Sequence, residues 1–174
     1  MNDNIRKKIE EYVKSLRWTP GDFYWKHAFQ VRDLALMIQE KVGGDKDVIE
    51  ASALLHDIGK AKLLGPGHEK INAKLARGFL EKIGFDRDKI RKIVDCIEYE
   101  NFNSIESKIL RSADSMALIM DEEGRSWYFK NILKNDREKI LKELRKSFSE
   151  IEFGFAKDFV RTDYNRLVKK YSKI

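Results

Sequence analysis

The chain has 174 residues, 35 of them Lys or Arg and 29 Asp or Glu, with 42% hydrophobic residues, ten Gly, two Pro, one Cys and three His. That length supports a packed core without staples; the apolar fraction excludes a disordered chain, the few prolines and glycines exclude a collagen-like or low-complexity one, and the lone Cys96 excludes a disulfide scaffold and fits a reducing compartment. The net charge of +6 sits wholly in the tail: residues 1–124 carry 21 bases and 22 acids, whereas residues 125–174 carry 14 and 7.

Helical spacing runs from end to end. Ile5, Ile9, Tyr12, Val13 and Leu16 recur on one face, and Asn2, Asp3 or Asn4 is placed to cap that first helix. Thr19, Pro20, Gly21 and Asp22 predict a turn, after which a second helix starts near Tyr24, passes Phe29, Leu34 and Ile38, and stops at Gly43 and Gly44. Asp45 to Asp47 cap a third helix from Val48 to Asp57, which Gly59 is expected to end. Gly65, Pro66 and Gly67 predict a loop within 60–67.

Further helices are expected at about 69–83 and 86–100, with Gly84 as the C′ residue and Asp86 as a cap. The next begins near Ser104, carries Ile105, Ile109, Leu110, Ala113, Met116 and Ala117 on one stripe, and gives way at about 121–124. The remainder predicts helices at roughly 125–135, 137–149 and 156–171. In the middle one, Ile140, Leu141 and Leu144 keep helical spacing while charges take the other face, as a solvated helix or a surface for an anionic partner would. With no alternating strand pattern and no repeat, the expected fold is all-α: one domain over 1–174 with additional C-terminal helices.

The N-terminus mixes acids with bases and lacks the apolar core of a signal peptide, and no stretch approaches the roughly 20 apolar residues that span a bilayer. A soluble, cytoplasmic protein without a membrane partner is expected.

All three histidines, His27, His56 and His68, fall in the first 68 residues. His56 and Asp57 end a segment, 51–55, of small and apolar residues, so an imidazole and a carboxylate emerge together from a buried helix. Adjacent residues lie about 100° apart on a helix and reach one ion if the helix loosens just afterwards, for which Gly59 provides. Imidazole nitrogen with carboxylate oxygen suits a divalent transition metal; the competing role is a hydrogen bond at a helix end. Asp114 shares its stripe with small and apolar neighbours, where a carboxylate is costly unless paired or bound to a cation, and His27 has the same setting beside Val31 and Leu34.

The sequence Leu54-Leu55-His56-Asp57-Ile58-Gly59-Lys60, with His27 before it and Asp114 after it, resembles the HD-domain superfamily of metal-dependent phosphohydrolases, whose H…HD…D signature these positions match. The resemblance covers a core of about 24–120 and leaves 121–174 as a basic helical extension expected to pack on it. It implies an all-α bundle in which His27, His56, Asp57 and Asp114 hold one divalent ion (Mn²⁺, Fe²⁺, Co²⁺, Ni²⁺, Mg²⁺ or Zn²⁺). It also implies hydrolysis of a phosphate ester or anhydride, of a nucleotide or related small phosphorylated metabolite, by attack of a metal-activated water. Asp57, Lys60 and His68 are then the catalytic candidates: Lys60 binds a non-bridging phosphate oxygen, and His68 contacts the phosphate or protonates the leaving oxygen. Their structural alternatives are a helix C-terminal cation and a helix N-terminal surface histidine.

The chain departs from some members. No histidine follows His68, so the further histidines of two-metal members are missing; Glu98 or Glu100 stands about where one is expected and offers a carboxylate for a second ion. Lys60 occupies the place of the glutamate found in nucleotidase members, which argues against a deoxynucleoside monophosphatase, and no GYP-type motif occurs. Trp18, Phe23, Tyr24 and Trp25 before His27, and Trp127, Tyr128 and Phe129 later, stack on a nucleobase or pack the core. Other readings are a non-catalytic nucleotide- or metal-binding sensor using the same pocket, and nucleic-acid binding by the basic tail. The sequence allows a homodimer as well as a monomer.

Overall fold

The computed structural model describes residues 1–16, 23–61, 68–98 and 103–172, without the side chains of Phe23, His68 and Glu69. The expected turn at 17–22, the loop at 62–67, Trp18 and Glu100 lie outside the described residues. Those described form nine α-helices and one 3₁₀ turn, with no strand: α1 (Asp3–Ser15), α2 (Phe23–Val42), α3 (Lys46–Leu55), the 3₁₀ turn (Ile58–Ala61), α4 (His68–Lys82), α5 (Arg87–Glu98), α6 (Ile105–Met120), α7 (Glu122–Asn131), α8 (Arg137–Glu150) and α9 (Gly154–Ser172). No helix of the described residues is long and apolar enough to cross a membrane. The chain divides inside α6 into two compact units, Met1–Leu110 and Arg111–Ile174.

In the first unit α3 is the central element, and α1, α2 and α5 pack on it. Every residue from Val48 to Leu55 is buried, because this segment carries small and apolar side chains all round. Its one acid, Glu50, is 2% exposed and accepts from Arg6 Nε at 2.7 Å. Local chemistry sets the ends. Asn2 accepts from the Ile5 amide and caps α1. Gly43 and Gly44 follow α2 at φ +82° and +97°, where only glycine is unstrained, and Asp45 then caps α3. Gly84 (φ +75°) ends α4 as the spacing predicts, with the Phe85 amide bonding back to Leu80 O, and Asp86 Oδ1 accepts from the Lys89 amide at the start of α5.

One stop signal works differently from the expectation. α3 ends at Leu55 rather than running to Asp57, with His56 as its C-cap, and Gly59 lies within the following 3₁₀ turn. Gly59 is also absent from the left-handed glycines, so its conformational freedom does not end the helix. A Cβ at Gly59 would fall 2.5 Å from Asn72 Oδ1 and 3.0 Å from both Asn72 N and Ile71 Cγ2. Glycine is there because α4 comes too close for any side chain.

In the second unit the break expected over 121–124 is a single residue. Asp121 caps α7, accepting from the Gly124 amide at 3.0 Å, and Glu122 to Gly124 are already helical. α7 also stops before residue 135, because Lys134 and Asn135 adopt φ of 55° and 56°. α8 and α9 pack together through Ile140, Leu144, Val160 and Leu167, and the Phe148 and Tyr164 rings stack at 4.1 Å. Much of the basic character here is matched one turn away, as in Arg161 with Asp158, Arg166 with Asp163 and Lys146 with Glu150. At those positions the charges make a solvated helix face worth a few tenths of a kcal/mol per pair.

Arg125 is different: 7% exposed, it donates through Nη1 to Ile119 O at 2.6 Å and to Leu118 O at 3.4 Å, covering carbonyls at the end of α6. Burial pulls its pKa down from the usual arginine value, against the pull of Glu122. Arg125→Ala is expected to destabilise the protein by about 2–3 kcal/mol in urea unfolding, because a charged hydrogen bond and the packing of its stem are lost together.

Candidate metal centre

The site grows from the end of the buried helix α3. His56 and Asp57 are each 4% exposed. His56 keeps helical dihedrals at the C-cap, Asp57 forms the turn, and the Lys60 amide bonds Asp57 O at 2.9 Å to open the 3₁₀ turn. The ring of His56 is oriented by Nδ1, 2.8 Å from Ala53 O. A carbonyl only accepts, so Nδ1 carries a proton, and in the neutral ring that leaves the lone pair on Nε2, the tautomer in which Nε2 can ligate a metal.

His27 arrives from α2, whose inner face holds Tyr24, Ala28, Val31, Leu34 and Ile38. Its Nε2 lies 3.9 Å from Asp57 Oδ2, and His56 Nε2 lies 3.5 Å from the same oxygen. One ligand atom from each of His27, His56 and Asp57 lies within 4.8 Å of the others. Two donors each about 2.1 Å from one ion stand roughly 3–4 Å apart, wider than a hydrogen bond and narrower than unrelated neighbours. Both separations fall in that interval, and two imidazoles with one carboxylate form a donor set for a divalent cation. The residues therefore fit an ion.

Lys60 Nζ sits 2.6 Å from Asp57 Oδ2. A carboxylate this buried needs a cation, and the part-exposed Lys60 ammonium supplies one. Tyr24 completes the wall. Burial pushes its phenol up to about 12, with Lys60 pulling the other way and Asp57 adding to the rise. It stays a neutral hydrogen-bonding group at ordinary pH.

Of the expected ligands, His27, His56 and Asp57 come together with Lys60 beside them. Asp114 lies on α6 in the second unit, half-buried between buried Ala113 and Ser115. His68 is the first residue of α4, which packs against the 3₁₀ turn; its side chain lies outside the described residues. Glu98 ends α5 half-buried and does not belong to the His27, His56 and Asp57 group.

Several of the aromatic residues make ring contacts within the protein. Trp25 meets Phe29 edge-on at 5.8 Å with Lys14 over both rings, and Phe129 is buried edge-on to Tyr171 at 5.6 Å. Two residues near the ligands carry more than the sequence reading gave them. Tyr24 was legible as three residues, hence one turn, before His27. Asn72, one turn after His68, is 1% exposed and accepts from the Gly59 amide.

The family model of the HD domain matches residues 24–146. A deoxyguanosinetriphosphate triphosphohydrolase-like protein of Clostridium tetani is 34% identical over 82 residues, covering 45% of this chain and 22% of that protein. Ribonuclease Y of Thermotoga petrophila is 30% identical over 145 residues, covering 80% of this chain and 27% of that enzyme. The chain thus spans about a quarter of the length of the curated relatives it matches. The crystal structure of an HD-superfamily hydrolase from Bacillus thuringiensis superposes with a TM-score of 0.72 at 19% identity, covering 97% of this chain and 93% of that one, a likeness of fold.

Proposed function

The chain belongs to the HD-domain family, and from that premise we propose that it is a metal-dependent phosphohydrolase acting on a phosphate ester or anhydride of a nucleotide or related small metabolite. The observation that carries this reading is the convergence of His27, His56 and Asp57 on one point at the end of a buried helix. The names of its relatives, a triphosphohydrolase-like protein and a ribonuclease, both denote hydrolysis at nucleotide phosphates and support the substrate class.

His27, His56 and Asp57 would hold one divalent ion, and the H…HD…D pattern assigns Asp114 as a fourth ligand. When bound, the ion supplies Lewis-acid polarisation of the phosphoryl group and lowers the pKa of a water. The remaining work falls to this chain's own groups. Ala53 O holds the His56 ring in its metal-binding tautomer. Lys60 transfers its ammonium from Asp57 to a non-bridging phosphate oxygen, a charge-assisted contact. His68, opening α4, gives a proton to the leaving oxygen.

The test is turnover of mono-, di-, tri- and cyclic nucleotides and an aryl phosphate with Mn²⁺ and with other divalent ions. Metal-dependent hydrolysis of at least one is expected. Thermal stabilisation by nucleotides with no turnover of any would replace the enzyme with a sensor. Lys60 gives a sharper check. Lys60→Ala should lower kcat/KM by about 10- to 100-fold, the worth of one charge-assisted bond, while Mn²⁺ binds as tightly or more tightly because the competing ammonium has left Asp57. A Lys60 that serves only as a helix-end cation would leave kcat/KM unchanged.

A further inference from the structure

The contact between α4 and the 3₁₀ turn is closer than packing alone demands. Gly59 N donates to Asn72 Oδ1 at 2.5 Å, with both residues buried. The same oxygen and the Asn72 backbone fill the space in which a Gly59 Cβ would sit. Gly59 is flanked at a distance of two by Asp57 and directly by Lys60, so whatever fixes this amide fixes the turn that presents both. Asn72 stands one helical turn after His68, so the same bond ties the first turn of α4 to the turn of Asp57.

Buried side-chain amides on the inner face of a helix are rarely placed without a partner, because an unpaired one costs about 1–3 kcal/mol. Asn72 meets that demand with the Gly59 N–H, one of the two backbone N–H groups between Asp57 and Lys60. The geometry points to Asn72 as a positioning residue: it clamps the turn of Asp57, Gly59 and Lys60 onto α4, and thereby sets the metal affinity of the centre. Resting on the proposed metal site, this adds to it a second residue pair, Asn72 and Gly59, that acts through Asp57 rather than by touching the ion.

The test is calorimetric titration of Mn²⁺ into the metal-free, full-length protein, in the wild type and in three variants. Asn72→Ala should raise the Mn²⁺ Kd by about 10- to 100-fold, the range for groups that orient a ligand. Leu80→Ala, at a fully buried position of the same helix, should lower Tm with the Kd within about twofold of wild type, since it damages packing and not the clamp. Gly59→Ala should also weaken Mn²⁺ binding, and by less when Asn72→Ala is already present, because the closest clash is then gone. Asn72→Ala binding Mn²⁺ as wild type does, or Kd shifts that merely follow Tm in both Asn72→Ala and Leu80→Ala, would overturn the clamp.

Amide exchange in the wild type reports on the same bond when a variant does not fold. The Gly59 amide should exchange at least about a hundredfold slower than an open amide, and exchange at the open rate overturns the inference. A wild-type protein that binds no Mn²⁺ overturns the metal site itself and the clamp with it. A wild type that binds while Asn72→Ala is unchanged overturns the clamp alone.

Discussion

Asp57→Ala should lower metal-dependent turnover by about 10³-fold, roughly 4 kcal/mol of barrier, and abolish measurable Mn²⁺ binding. The reason is that Asp57 Oδ2 is the shared vertex of the site, 3.5 Å from His56 Nε2, 3.9 Å from His27 Nε2 and 2.6 Å from Lys60 Nζ. Within the first unit, Asp57 is the carboxylate that joins His27 and His56 in a group able to hold a metal ion. Stability should move little, because removing a buried carboxylate also removes its desolvation cost, and the part-exposed Lys60 ammonium is left to water. Steady-state kinetics and thermal unfolding of the same preparation check this. Activity falling only in step with stability would make Asp57 a structural residue.

The largest expected effect on stability comes from the middle of the buried helix α3. Arg6 on α1 reaches Glu50 on α3 through Nε at 2.7 Å and Nη2 at 3.4 Å, and Glu50 raises the Arg6 pKa chiefly through that hydrogen bond. The Glu50 side chain is 3% exposed against 33% for Arg6, so removing the arginine leaves an acid in the core that water cannot reach. Arg6→Ala should cost about 3 kcal/mol, the lower end of the range for breaking a buried pair because Arg6 itself is partly solvated. For a protein of this size that is a Tm drop of roughly 6–12 °C. Replacing both partners by apolar residues, Arg6→Met with Glu50→Leu, should recover most of the loss. A cost below about 0.5 kcal/mol would class the pair with ordinary surface ion pairs.

The parts of this architecture that were legible in the sequence are those written in short-range chemistry. Asn2, Asp45 and Asp86 cap helices through bonds to amides two or three residues ahead, and Gly43, Gly44 and Gly84 end them by adopting positive φ. The run 51–55 of small and apolar residues reads as buried without any partner being known, and a His-Asp pair at its end stands out for that reason.

Contacts that depend on distant chain were not legible. Gly59 looks like a helix stop, yet its role is set by Asn72, thirteen residues later on another helix. Lys60 carries the same charge whether it faces a carbonyl at a helix end or Asp57, and only the turn of the 3₁₀ segment selects Asp57. The break expected over 121–124 narrows to Asp121 alone: Gly124 is a weak helix former, and the Asp121 cap with Glu122 and Glu123 in the first turn compensates for it.

Anomalous diffraction from crystals of the full chain loaded with Mn²⁺ tests the central claim most directly. A strong manganese peak is expected within bonding distance of His27 Nε2, His56 Nε2 and an Asp57 oxygen, with Lys60 Nζ displaced from Asp57. Crystals that diffract well and show no such peak, or show manganese only at sites without His56 and Asp57, would contradict it.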